Sequence, residues 1–304
     1  MWPDVSGPSP PPAVPAFYPR RIVRIRVLSA VGAVVSIALG LLYATRIEPR
    51  WPALRRVVLP IGDLPDALDG LTILHVSDLH ARPDLPHVAA NVRRVASIAD
   101  LVCLTGDVGD LAEHADLGVA ALQGLRGRLG TFAVLGNHDL YAGIHRFDTG
   151  VGDRVRLRLE ASGIAVLRNQ NARIRVRDHN LFVVGIDDPH TFHDGTPRAY
   201  RGVPAEASSV ALAHTWEIAD AAIQHGAALI LAGHTHGGQI RLPTRDALVA
   251  NNHRRPLRVG GVFRYRDRWV HISPGIGQSI SLRFWVRPGA SLIVLRRQRD
   301  DGAV

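Results

Sequence analysis

Lysine is absent from this chain. All 36 basic residues are arginine, a bias of composition rather than a sign of particular chemistry. Cysteine is nearly absent as well. The single Cys103 excludes an intrachain disulfide framework, and its position in the apolar run LVCLTGD marks it as a core residue. Also missing is any long stripe in which aromatic residues interleave with the arginines, FRYRDRW (263–269) being a short stretch of that kind. A formal charge of +9 raises nucleic acid or an anionic membrane surface as partners. The arginines are scattered, however, with local clusters only at 20–26, 153–158 and 296–299. A generally basic surface is expected, and no nucleic-acid partner. No internal repeat is present, and 46% of the 304 residues are hydrophobic, enough to bury a sizeable core.

The N-terminus has its own character. Residues 1–26 are rich in proline and arginine and are expected to be disordered. Residues 27–45, VLSAVGAVVSIALGLLYAT, carry no charge. As a helix they would extend about 28 Å, enough to cross a bilayer core. A buried soluble helix and a cleaved signal peptide are the alternatives. The preceding arginines argue against the first, and Leu42-Tyr43-Ala44 is a poor cleavage site against the second. A retained single-pass anchor is expected, followed by a linker over 46–69 and a folded domain over 70–304. Arg20, Arg21, Arg24 and Arg26 before the span are balanced by Arg46, Arg50, Arg55 and Arg56 after it, so charge alone does not set the orientation. The stretch RRIVRI loosely resembles a twin-arginine export signal, which favours an extracytoplasmic domain.

From residue 70 short apolar runs alternate with amphipathic stretches. LTILHVS (71–77), LVCLTG (101–106) and TFAVLGN (131–137) read as buried strands, with helices expected over 85–100 and 111–127 between them. That alternation indicates parallel strand–helix–strand units. NARIRVRD, NLFVVGID, SSVALAH and AALILAG extend the strand count, and the tail, GVFRYRDRWVHISPG and SLIVLRR, is closer to antiparallel.

Each strong strand ends in a turn loaded with polar groups. Asp78 and His80 follow the first; Asp107 and Asp110 follow the second; Asn137, His138 and Asp139 follow the third. His214 follows SSVALA, and His234 and His236 follow ALILAG. Ligands of open α/β sheets bind beyond the carboxyl ends of the strands, so five strand ends can converge on one crevice. Two aspartates, four histidines and one asparagine amide suit borderline or hard divalent ions such as manganese, iron or zinc. Seven donors are too many for one zinc ion and suffice for two that share a carboxylate. Two metals about 3.5–4 Å apart clamp an in-line displacement at phosphorus.

The order Asp-x-His, Gly-Asp-x-x-Asp, Gly-Asn-His-Asp, His, Gly-His-x-His resembles the calcineurin-like metallophosphoesterase superfamily over about residues 70–240. The ending GHTHGGQIRLP and the N-terminal anchor are similar to its bacterial membrane-associated phosphodiesterase branch. The resemblance implies an α/β fold, a two-sheet β-sandwich flanked by helices in four layers. It implies a first metal held by Asp78, His80, Asp107 and His236, and a second held by the bridging Asp107 with Asn137, His214 and His234. His138, next to a ligand yet not needed as one, is expected to donate a proton to the leaving group, with Asp110 holding its ring. A phosphodiester or pyrophosphate on a lipid or envelope component is the expected substrate. The rivals are a hydrolase of soluble esters that is merely anchored, and a nuclease of the same fold; for the latter the chain beyond residue 245 is short for a large capping domain.

Other polar residues carry weaker signals. Asp187, Asp188, His190 and His193 follow a strand and either rim the pocket or form a solvated loop. His75 lies within a strand and is expected as a satisfied core histidine.

Overall fold

Runs such as TILHV, LVCLT and LILA are mostly apolar and buried along nearly their whole length because both faces of their sheets are covered, the usual condition of parallel strands. The computed structural model describes residues 20–140, 149–191, 193–241 and 257–298, together with Gly7 and Ala247. Twelve strands are found among these residues, in two six-stranded sheets.

The first sheet has the order β1 (Ala53–Ile61), β12 (Gly289–Arg297), β2 (Thr72–Val76), β3 (Leu101–Thr105), β4 (Gly130–Val134) and β5 (Ala165–Val166). The second runs β10 (Gly261–Tyr265), β11 (Arg268–Ile272), β9 (Leu229–Ala232), β8 (Ser208–Ala213), β7 (His179–Ile186) and β6 (Gln170–Val176). Pairing is parallel from β2 through β5 and from β7 through β9 and β11. The tail is indeed partly antiparallel: β10 and β11 form a hairpin, and β12 runs antiparallel to β2 but parallel to β1.

Three apolar layers make this a four-layer sandwich. Ile73, Leu101, Cys103 and Phe132 face Val183, Val210, Leu212 and Leu231 between the sheets. On one outer face α2 (His87–Val95), α3 (Ala115–Ala121) and α4 (Thr149–Ala161) cover the first sheet through Val88, Val92 and Leu159. On the other, α5 (Thr196–Ala199), α6 (Ala219–Gln224) and Trp216 cover Val184, Ala211 and Ile230 of the second. The helices are shorter than the apolar periodicity implies. α2 stops where Ala96 turns to φ −58°, ψ 134°, which breaks the ladder before Ile98.

The segment expected as a linker is part of this domain. Ala53–Ile61 pairs with β12 over nine positions, and the compact unit begins at Tyr43 rather than at residue 70. Two arginines and Pro60 disguise the strand. β1 is an edge strand, where a residue without an N–H does not interrupt a ladder.

The other unit, residues 1–42, contains α1 (Arg20–Leu42). The disorder expected of residues 1–26 falls mostly outside the described residues, but Arg20–Arg26 is helical rather than disordered. Arg26–Arg50 is long and apolar enough to cross a membrane, and Leu28, Val34 and Ile37 are exposed on several sides of the helix.

Candidate metal centre

Five of the expected ligands have left-handed backbone: Asp78 (φ 50°), His80 (42°), Asp107 (54°), His234 (68°) and His236 (52°). Non-glycine residues adopt that region at a cost, and such strain collects at functional sites where the surroundings over-determine it. The surroundings here are tight. A Cβ on Gly106 (φ 88°) would lie 2.4 Å from the Gly136 nitrogen and 2.8 Å from His214 Nδ1. One on Gly233 would lie 2.4 Å from Asp78 Oδ2. Glycine before Asp107, Asn137 and His234 lets the loops close on one another.

Asp107 is central. Its Oδ2 lies 3.3 Å from His80 Nε2 and 3.2 Å from His214 Nε2, and its Oδ1 accepts the His138 backbone N–H at 2.9 Å. On one side His80 Nε2 stands 3.0 Å from His236 Nε2, which is 3.7 Å from Asp78 Oδ1. On the other, His214 Nε2 stands 3.1 Å from His234 Nδ1. Asp78 also accepts the His234 backbone N–H at 3.0 Å, tying the two sides together. Asn137 is buried in the loop between Gly136 and His138, both of which abut Asp107. The seven residues named from the sequence therefore form one buried cluster around Asp107.

The nitrogens are oriented for a cation. His80 Nδ1 donates to Asp110 Oδ1 at 3.0 Å and His214 Nδ1 to the Thr105 carbonyl at 2.7 Å. Each bond leaves the Nε2 lone pair aimed at Asp107, the arrangement by which outer partners orient metal-bound imidazoles. Two Nε2 atoms and a carboxylate oxygen within 3.3 Å call for positive charge among them, carried either by protons on the rings or by a cation. Among the described residues, buried His236 Nδ1 and Asp188 Oδ2 have no hydrogen-bond partner. Among the described residues three groups have ligand atoms close enough to share an ion, Asp78–His80–His236, Asp107–His214–His234 and His80–Asp110–His138. The donor set fits divalent metal.

Electrostatics agree. Burial opposes charge on His80, but its bonds to Asp107 and Asp110 raise its pKa to about 9. Burial likewise opposes charge on His214, yet Asp107 and Asp78 raise its pKa well above the ordinary value. Burial works to raise the Asp107 carboxyl, and the His214 and His138 rings hold it well below the usual range. Burial and neighbouring rings push His234 and His236 the other way, well below ordinary histidine. Positive charge is thus favoured at His80 and His214, beside Asp107, and opposed at His234 and His236.

Asp110 is placed differently from expectation. Its carboxylate pairs with His80 and with Arg82 Nη1 at 3.3 Å, whereas His138 Nδ1 donates to the Asp110 main-chain oxygen at 2.7 Å. The loop turns the side chain toward the first ligand group and leaves its carbonyl facing His138. Of the four residues in GIDDPHTFHD, two reach the site. Asp188 is fully buried, with His214 among the charges acting on it, and the His190 ring lies 4.9 Å from that of His234. Asp187 instead pairs with Arg168 and Asn169, and His193 bonds to Thr191.

Two further residues hold the site without having announced themselves in the sequence. The buried Asp139 carboxylate accepts the backbone N–H groups of Asp107 at 2.8 Å, Val108 at 2.9 Å and Gly136 at 3.0 Å. Arg283, fully buried, donates to the carbonyls of Pro274 at 2.9 Å, Val286 at 3.2 Å and His236 at 3.5 Å, clamping the loop behind His236. A carboxylate after Asn-His and an arginine amid apolar residues were the only signals available.

Residues 71–252 match the family model described as the calcineurin-like phosphoesterase superfamily domain. The chain belongs to that superfamily. A Danio rerio protein called transmembrane protein with metallophosphoesterase domain is 30% identical over 268 residues, covering 81% of this chain and 58% of the relative. Its Bos taurus counterpart is 30% identical over 265 residues, covering 81% of this chain and 57% of the relative. The chain thus spans little more than half of either animal protein. The Escherichia coli protein called Phosphodiesterase YaeI is 28% identical over 279 residues, covering 90% of this chain and 99% of its own length.

Proposed function

We propose that this superfamily member is a metal-dependent phosphoester hydrolase acting on phosphodiesters or pyrophosphates and anchored by its N-terminal helix. The observation that carries the reading is Asp107 Oδ2 standing between His80 Nε2 and His214 Nε2, at 3.3 and 3.2 Å, a bridging position for two cations. Asp78, His80, Asp107 and His236 would hold one ion, and Asp107, Asn137, His214 and His234 the other. When bound, such a pair supplies Lewis acidity toward a phosphoryl group and lowers the pKa of water.

The chain's own groups do the rest. The Asp110 carboxylate and the Thr105 carbonyl keep the His80 and His214 rings turned with Nε2 inward. Asp139 fixes the Asp107 loop against the Gly136 loop. His138 keeps Nδ1 on the Asp110 carbonyl, which assigns proton exchange with the departing alkoxide to Nε2. The name of the Escherichia coli relative supports the diester preference.

The substrate we infer is lipid-linked or another envelope component, with the domain outside the cytoplasm. In sequence the domain begins at Tyr43, directly after α1, so the tether is short. Tethering raises the local concentration of membrane substrates without any added contact. Two experiments test the reading. Elemental analysis of the full-length protein is expected to give two transition-metal ions per chain, with both diminished in Asp107→Asn along with bis(p-nitrophenyl) phosphate hydrolysis. One ion, unchanged by the substitution, rules out the bridge. Full-length protein in vesicles should prefer a lipid-linked diester over a water-soluble one relative to protein in detergent. Equal ratios would assign the anchor to retention alone.

A further inference from the structure

Along β1 the inward-facing positions are Ala53, Arg55, Val57, Leu59 and Ile61, and burial deepens toward the end of that series. Arg55 is the exposed member of that series, because the space it enters is open to solvent. Arg55 enters a cavity of about 860 Å³ at the open edge of the sandwich, walled by β1 and β12 on one side and β10 and β11 on the other. Arg287 and Arg241 line the same cavity.

The guanidiniums of Arg55 and Arg287 are held in place by main-chain carbonyls. Arg55 Nη2 donates to the Arg287 carbonyl at 3.2 Å. Arg287 Nε and Nη2 donate to the carbonyls of Trp51 at 2.9 Å and Pro52 at 3.1 Å, and its plane lies 4.0 Å from the Trp51 ring centre. Arg241 Nε donates to the Gly237 carbonyl at 2.8 Å. Neither Arg55 nor Arg287 forms an ion pair among the described residues. Among the described residues the one carboxylate lining the cavity is Glu48, whose Oε2 accepts the Trp285 backbone N–H at 2.9 Å. Burial, followed by repulsion from Arg287 and Arg241, lowers the pKa of Arg55. Among the described residues, Arg55 and Arg287 therefore bring positive charge to the cavity from donors fixed at one side, with the buried His271–Ser291 pair, 2.9 Å apart, on its floor.

We propose that this cavity is a second, non-catalytic binding site for an organic phosphate or diphosphate. Guanidinium forks match phosphate oxygens and form the stronger, charge-assisted class of hydrogen bond. The cavity is far larger than a phosphate ion and falls within the size range of small-molecule sites. Val57, Val262 and Trp285 on its walls supply apolar surface for the organic part. None of the lining residues is a candidate metal ligand, so the site is separate from the catalytic cluster. The same chemistry is offered by a lipid phosphate headgroup and by a soluble phosphate ester.

The test uses full-length, metal-loaded protein in detergent micelles. Binding is read from the fluorescence of Trp285, with Trp285→Phe identifying its signal. One arm titrates inorganic pyrophosphate; the other adds phosphatidic acid to mixed micelles, with phosphatidylcholine as control. Arg55→Ala is expected to weaken binding about ten- to hundredfold, as loss of a charged hydrogen-bond donor does, and to leave bis(p-nitrophenyl) phosphate turnover essentially unchanged. Val262→Trp, which fills the cavity and spares the arginines, should weaken it as well. Repeating the titration in Asp107→Asn separates this site from anion binding at the metals. Preference for phosphatidic acid assigns a lipid occupant, and preference for pyrophosphate a soluble one. If both variants titrate like the parent chain in both arms, or binding depends on Asp107 alone, the site does not exist.

Discussion

The Asp110 carboxylate accepts the Nδ1 proton of His80 at 3.0 Å, while His138 Nδ1 donates to the Asp110 main-chain oxygen at 2.7 Å. This makes Asp110 a positioning residue for a metal ligand rather than the partner of the proton donor. Asp110→Asn should therefore weaken metal binding, about 10- to 100-fold as loss of such outer partners does. Turnover at saturating metal should fall much less. A metal titration of activity separates the two effects. If saturating metal does not rescue turnover, the side chain serves His138 after all.

His138→Ala should keep its metal and lose roughly 10²–10⁴-fold in turnover, the usual scale of general-acid catalysis. Its backbone N–H, which holds Asp107 Oδ1 at 2.9 Å, survives the substitution. The loss should be smaller with a nitrophenolate leaving group, which hardly needs a proton. Comparing kcat for alkyl and nitrophenyl diesters reads this directly. Loss of metal instead would make His138 a ligand.

Asp139→Ala should damage the site without touching a ligand. Burial, and then the charge of Asp107, raise the Asp139 carboxyl to about 6, yet three backbone N–H groups within 3.0 Å depend on it. Leaving buried donors unsatisfied costs on the order of 1–3 kcal/mol each. The expected result is a clearly lowered Tm and weaker metal retention, measured by calorimetry and elemental analysis. An unchanged Tm would mean that the Asp107 and Gly136 loops hold themselves.

Much of the site was legible because its motifs are local. Gly-Asp, Gly-Asn-His-Asp and Gly-His-x-His each bring a glycine and its ligands to one strand end, and those strands are apolar enough to be read individually. What escaped depends on distant partners. β1 looks like a linker because its arginines and Pro60 make sense only beside β12, more than 200 residues later. Arg283 sits in SLRFWVRPG with no sign that five main-chain carbonyls will surround it. His75 reads correctly as a core histidine, but nothing near it points to a partner 196 residues away.

That partner is His271, and the pair makes the fold sensitive to acid. Between the sheets Thr105 Oγ1, His75, His271 and Ser291 Oγ form a buried chain, with contacts of 2.9, 2.7 and 2.9 Å. Burial, and then the charge of Arg55, lower the His271 pKa from 6.5 to about 3. Burial and His271 lower that of His75 as well. Because the folded pKa lies below the unfolded one, unfolding takes up protons as the pH falls below 6.5. The stability that neutral His271 contributes is complete above pH 6.5 and is lost progressively toward about 3. His271→Gln keeps a hydrogen-bonding group and removes the titration. The variant should be less stable than the parent at pH 7, by about 1–3 kcal/mol for the disturbed buried bonds. Its Tm should also fall less steeply between pH 6.5 and 4, so that the two curves converge. Parallel curves across that range would show that the ring stays uncharged in both states or is already solvated in the fold.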